Sequence, residues 1–132
     1  MLAMSSYPRD YVEAARAAIE ARVAAYRKVA GPGFEEFEPV FFNDLVVVLE
    51  NYFVHRLRAA EGKDGNPLNE VRLLATSLMT ADGRMVADKQ IKLKPGNSLL
   101  GYAPGDVIAV RADDFARLVK GFFAELETRY AG

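Results

Sequence analysis

The chain contains no cysteine, no tryptophan and only one histidine, His55. Without cysteine there are no disulfides, thiolate nucleophiles, cysteine zinc sites or cysteine-ligated iron–sulfur clusters. A single histidine excludes an HExxH helix and any site built on several imidazoles. Charge of one sign is also missing: 17 Lys plus Arg stand against 18 Asp plus Glu, a formal charge of −1. Such a chain has no global field to attract phosphate backbones, so a nucleic-acid partner is not expected from charge. The longest aliphatic run, Leu45–Leu49, is five residues, against the roughly 20 needed to span a bilayer. The opening MLAMSSYPRD carries neither a basic n-region nor an apolar stretch of signal-peptide length. The expectation is a cytoplasmic protein with no membrane association.

What is present is ordinary globular composition, 51% hydrophobic and 27% charged over 132 residues. That length suits one domain over 1–132, and no repeat, low-complexity segment or long linker divides it. Val12, Ala15, Ile19, Val23 and Tyr26 recur at spacings of three and four, which predicts an amphipathic helix. Ser5, Ser6 and Pro8 are expected to open it, Arg9–Glu13 and Arg16–Glu20 to pair along it, and Gly31-Pro32-Gly33 to stop it. A second helix is expected from about Val40 to Ala60, through Phe42, Leu45, Val46, Leu49, Phe53 and Leu57. Val47, Val48 and Val54 widen its apolar surface beyond one stripe, the mark of a central helix or one shared with a second subunit.

Glu61-Gly62-Lys63-Asp64-Gly65 reads as a turn, and Asn66-Pro67 as the start of a third helix with Leu68, Val71, Leu74, Ala75 and Leu78 inward. The short connection predicts an antiparallel hairpin. Alternation in KQIKLK around Ile91 and Leu93, and again in Val107–Val110, predicts two short strands. Asp113 or Asp114 is expected to cap a last helix carrying Phe115, Leu118, Phe122, Leu126 and Tyr130. The expected fold is mainly α (formally α+β): a four-helix bundle-like domain with a two-stranded antiparallel β-ribbon before the last helix.

Polar residues concentrate on the hairpin. Asn51, His55 and Arg58 would share a face of the second helix, and Asn69, Arg72 and Thr76 a stripe on the third. With the turn residues Glu61, Lys63, Asp64 and Asn66, they would gather beside the amides of a helix N-terminus, which favour anions. The functional reading is a small anion-binding pocket or an enzyme: His55 as acid–base candidate, Arg58 and Arg72 as anion clamps, Glu61 or Asp64 orienting a partner. Helix capping and macrodipole electrostatics account for the same residues. No metal or cofactor is predicted.

Other signals are weaker. Aligning Asp64-Gly65 to a calcium loop puts Ala60, Gly62 and Val71 at ligand positions, so that motif fails. Gly31-Pro32-Gly33 lacks the Lys-Ser/Thr of a phosphate loop. No nucleophile elbow surrounds Ser77 or Ser98. Glu35, Glu36 and Glu38 form an acidic run, for which solvation is the simplest role. Lys89, Lys92 and Lys94 suit an edge strand. Arg56, Arg58, Lys63 and Arg72 are a local basic group that could serve a nucleic-acid accessory protein.

The segments NYFVHRLRAAEGKDGNPLNEVRLLATSLM (Asn51 to Met79) and, more loosely, GDVIAVRADDFARLVKGFFAELETRY (Gly105 to Tyr130) resemble a family of small conserved bacterial proteins of unknown function. That resemblance implies no activity and carries over no catalytic residue. From the residues themselves, the leading expectation is a self-associating helical interaction module, a homodimer, with a small anionic-ligand site as the alternative.

Overall fold

A computed structural model of the chain describes residues 3–131. Five helices follow one another: α1 (Arg9–Val29), α2 (Glu38–Tyr52), α3 (Arg58–Glu61), α4 (Pro67–Thr80) and α5 (Ala112–Arg129). α2 is central, touching α1, α4 and α5, with its most extensive seam against α4. Phe42, Leu45, Val46 and Leu49 of α2 interlock with Leu68, Val71 and Leu74 of α4 and with Phe115, Leu118, Phe122 and Leu126 of α5 in one buried cluster. At roughly 1.5–3 kcal/mol for each large apolar side chain taken from water, this cluster is the main driving force of the fold.

α1 buries Val12, Ala15, Ile19 and Tyr26 as its spacing predicts, with Val23 half-buried. Its cap differs from expectation: Pro8 stands at the N-cap and no side chain closes the first turn. Arg16 pairs with Glu13 and with Glu127 of α5, rather than with Glu20. At the head of α4, Asn66 caps as expected, accepting from the Leu68 and Asn69 amides, and Pro67 fills the first helical position.

α2 ends at Tyr52, well short of Ala60. No Gly or Pro marks the break. The N-terminal segment causes it by crossing here: Met4 donates its N–H to the His55 carbonyl (2.7 Å) and accepts from the Leu57 N–H (2.8 Å). The chain turns through Phe53–Leu57 and resumes as the single turn α3. Asn51, His55 and Arg58 therefore do not share a helix face. α2 also leaves less apolar surface open than the sequence implied. Val40 remains 55% exposed, while Val47 and Val48 are partly covered.

The expected ribbon is not formed, and the α+β assignment is corrected to mainly α: among the described residues there is no strand, only isolated bridges such as Arg84 with Val107. KQIKLK bends instead of extending, its amides held by Asp88, Asn97 and the Lys63 carbonyl, while Ile108 donates to the Gly83 carbonyl and helix side chains hold other parts of the connection. Asn43 of α2 donates from Nδ2 to the Ile108 carbonyl (3.0 Å) and accepts at Oδ1 from the Val110 N–H (2.9 Å). Glu70 of α4 accepts the Leu99 and Leu100 amides, one on each carboxylate oxygen. Ser77 Oγ accepts the Val86 N–H. With its peptide groups already paired, the segment gains nothing from forming a ladder. The capping of α5 is shared: Asp114 accepts the Arg111 N–H, while Glu38, at the start of α2, accepts that of Ala112.

Candidate functional site

The polar residues of the hairpin gather around Glu61, the last residue of α3, whose side chain is wholly buried. Arg56 Nε donates to Glu61 Oε1 at 3.0 Å. Arg72 Nη2 reaches the same oxygen at 2.5 Å, and its Nε lies 3.1 Å from both oxygens. Asn69 Nδ2 donates to Oε2 at 2.8 Å. Arg56 extends the group to α2, donating from Nη2 to Glu50 Oε1 (2.9 Å) and to the Leu68 carbonyl, and from Nη1 to the Phe53 carbonyl. Two guanidiniums thus meet two carboxylates in the core, with no net charge.

The surroundings set the titration of the two acids apart. Burial pushes the Glu50 carboxyl above its ordinary value, against the pull of Arg56 and Arg72. Burial acts on Glu61 too, but there the hydrogen bonds from Arg72 and Asn69 and the charges of Arg56 and Arg72 win, holding it below the usual range. The same pairing raises Arg72. Direct hydrogen bonding to the charged form is what separates two otherwise similar sites.

A second ring ties the turn to the end of α5. Arg129 donates to the Glu61 carbonyl (2.9 Å) and to Asp64 Oδ2 (3.2 Å). Asn66 Nδ2 donates to the Glu61 carbonyl and to Asp64 Oδ1, and the Gly65 N–H donates to Asn69 Oδ1. Gly65 has φ +86°, and a Cβ there would stand 2.6 Å from the Lys92 carbonyl oxygen, so both conformation and close approach require glycine. Tyr130 Oη donates to the Leu57 carbonyl (2.6 Å).

Of the residues singled out from the sequence, Glu61, Asp64, Asn66, Asn69 and Arg72 are brought together, but they bind one another. The first amides of α4 are taken by Asn66, and the buried Arg56 and part-buried Arg72 are taken by glutamates. Among the described residues no buried side-chain nitrogen or oxygen lacks a partner. His55, Arg58 and Lys63 lie outside this cluster, exposed; Lys63 Nζ donates to Gln90. Arg56 and Arg72, each bound to Glu50 and Glu61, are not available as a surface basic group.

Sequence reasoning missed Glu50 as a member. The signal was present: Glu50 lies four residues after Val46 and one after Leu49, inside an apolar stripe, where an acid needs a buried cation. Arg129 and Tyr130 had no such signal, because their partners are about 70 residues away.

The concavities on the described surface include two with largely apolar walls. One cleft, about 340 Å³, is lined by Met4, Tyr7, Pro8, Tyr11, Asn51, Tyr52 and His55. Tyr7 and Tyr11 stack at 5.9 Å, Tyr11 Oη donates to the Tyr52 carbonyl (2.6 Å), and burial raises the Tyr7 hydroxyl to about 12. The other is a groove of about 490 Å³ between α1 and α5, floored by Ile19, Val23, Ala24, Phe115, Ala116 and Val119 and rimmed by Arg16, Glu20, Arg27 and Lys120. No group of three or more His, Asp or Glu among the described residues is arranged to hold a metal ion, and no helix among them is long and apolar enough to cross a membrane. Compared with family models, with curated proteins and with solved structures, the chain matches none, so its chemistry is read from its own geometry.

Proposed function

We propose that the protein is a helical interaction module that pairs with a second copy of itself through the α1–α5 groove. The supporting observation is the groove itself. α1 meets α5 through the Arg16–Glu127 ion pair and the Arg16 guanidinium over the Phe123 ring, and beside that contact Val23, Ala24, Ala116 and Val119 form an apolar floor within a charged rim. An apolar centre ringed by charge is the composition of a specific protein–protein contact. The Glu50–Arg56–Glu61–Arg72 cluster serves the fold that presents this surface, since its donors are spent internally. Sedimentation velocity from low to high micromolar concentration tests the reading. A dimer is expected, and Ala24→Glu with Ala116→Glu, both at exposed positions, should make it monomeric with helicity unchanged. A wild-type monomer at high micromolar concentration would overturn it.

A second reading, binding of a small planar ligand, is favoured by the cleft beside His55. Its walls are aromatic, and among the described residues the His55 and Asn51 side chains at its mouth make no hydrogen bond. Apolar walls with a few convergent polar groups suit a small molecule. Ligand-induced NMR shifts confined to Asn51, Tyr52 and His55 would support it over self-association.

A further inference from the structure

We infer that residues Met4–Tyr7, ahead of α1, are a main-chain latch that couples the aromatic cleft beside His55 to the buried Glu50–Arg56–Glu61–Arg72 cluster, so that the two are formed and lost together. The coupling is separate from the groove between α1 and α5 and needs no second copy.

Met4 sits between the two sites. It pairs with both neighbours of Arg56, donating its N–H to the His55 carbonyl and accepting from the Leu57 N–H. The main chain on either side of Arg56 is thus fixed while its guanidinium reaches Glu50 and Glu61. The circuit closes through α5: Tyr130 Oη donates to the Leu57 carbonyl (2.6 Å), and the Tyr7 N–H donates to the Tyr130 carbonyl (3.1 Å). Tyr7 Oη and Arg56 Nη1 share one acceptor, the Phe53 carbonyl, and the Tyr7 and Phe53 rings meet edge-on at 5.0 Å. Met4 and Tyr7 also line the cleft, with Asn51, Tyr52 and His55 from the end of α2 and the turn after it.

The latch is lightly held. Of its side chains only Tyr7 is buried; Met4 and Ser6 are half-buried and Ser5 is exposed. Pro8 joins it to α1 without a side-chain cap. Segments with few buried apolar contacts open at a lower free energy than the core. Lifting this one removes part of the cleft lining and frees the His55 carbonyl and the Leu57 N–H, so the turn that carries Arg56 loses its brace. A group bound in the cleft touches the latch only while it is seated, so its binding favours the seated state and, through it, the ion cluster.

Hydrogen exchange followed by NMR on the full chain tests this. In wild type the Tyr7 and Leu57 amides should share one protection, lower than that of Phe122 in α5. Met4→Pro deletes the donor to His55. It should speed exchange relative to Phe122 about tenfold at Leu57, at Tyr7 and at the Arg56 Nε proton. Coupling is reciprocal, so Arg56→Met should free Tyr7 and Leu57 relative to Phe122 by a similar factor. Met4→Ala keeps both main-chain bonds and should match wild type. The inference fails if Met4→Pro frees Leu57 while Tyr7 and Arg56 Nε keep their protection, or if Arg56→Met leaves the latch exchanging as in wild type. It fails equally if Met4→Ala releases as much as Met4→Pro, which would make the side chain the hold. Should Met4→Pro not fold, the wild-type and Arg56→Met measurements decide between coupling and independence.

Discussion

Replacing Arg56 by Met removes the cation that hydrogen-bonds both buried glutamates, whereas Arg72 hydrogen-bonds Glu61 and reaches Glu50 only at 3.9 Å. Its side chain is 0% exposed, and it makes four hydrogen bonds, to Glu61, Glu50 and the carbonyls of Phe53 and Leu68. Methionine fills much of the volume, so little of the effect comes from a cavity. The loss comes from two carboxylates left with Arg72 alone and from two buried carbonyls losing a donor. Breaking a buried ion pair from one side costs about 3–5 kcal/mol, a large share of the roughly 5–15 kcal/mol that stabilises a domain. For a chain of this size that corresponds to a fall of roughly 10–20 °C in melting temperature. Urea unfolding followed by circular dichroism at several pH values is the assay. With Arg56 gone, protonating the glutamates relieves the uncompensated charge, so the deficit should shrink as the pH falls from 7 towards 4.5. A loss below about 1 kcal/mol, or one that does not change with pH, would refute the assignment of Arg56 as the electrostatic centre of the core.

The wild-type pH profile should have two limbs of opposite sign. Glu50, raised in the folded state, contributes stability that is full below its unfolded value and is lost as the pH climbs through its folded one; Glu61, lowered, contributes stability that is lost as the pH drops through its folded value. Glu50→Gln should therefore flatten the upper limb and Glu61→Gln the acid limb, read as variant-minus-wild-type unfolding free energies; differences independent of pH would contradict both shifts. Asn43→Leu leaves the Ile108 carbonyl and the Val110 N–H unpaired beneath the surface, at about 1–3 kcal/mol for each group. Hydrogen exchange at Val110 should accelerate ahead of exchange in α2, and unchanged protection there would show that Asn43 is not its clamp.

Much of the helical frame was legible because it depends on local spacing. Val12 to Tyr26, Leu68 to Leu74 and Phe115 to Tyr130 repeat with helical period, and Asn66-Pro67 signals its own helix start. Two features depended on distant residues and were not. α2 stops at Tyr52 because Met4 crosses it and Arg56 turns into the core, and neither event leaves a mark in the residues around the break. KQIKLK alternates as a strand would, but whether an extended segment joins a ladder depends on who holds its peptide groups. Here the Gln90 and Ile91 amides go to Asp88, the Lys92 amide to the Lys63 carbonyl and the Lys94 amide to Asn97. The candidate site divided the same way. Glu61, Asn66, Asn69 and Arg72 were rightly grouped, being close in sequence. Glu50 and Arg56 entered only once the shape of the helix end was known, and with them every buried side-chain nitrogen and oxygen of the cluster has a partner.

The manner in which helices hold the long connection before α5 bears on how this chain tolerates change. Asn43 and Glu70 grip main-chain atoms, which every amino acid except proline supplies in full. The outward-pointing side chains that hold none of the strap's own backbone, such as Lys89 and Lys94, are thus open to wide replacement, whereas Asp88, Asn97 and Asp106 fix its turns. A single alteration at either gripping residue would release a whole stretch at once. Tolerance and fragility are divided by what a side chain holds, a peptide group of the strap or none.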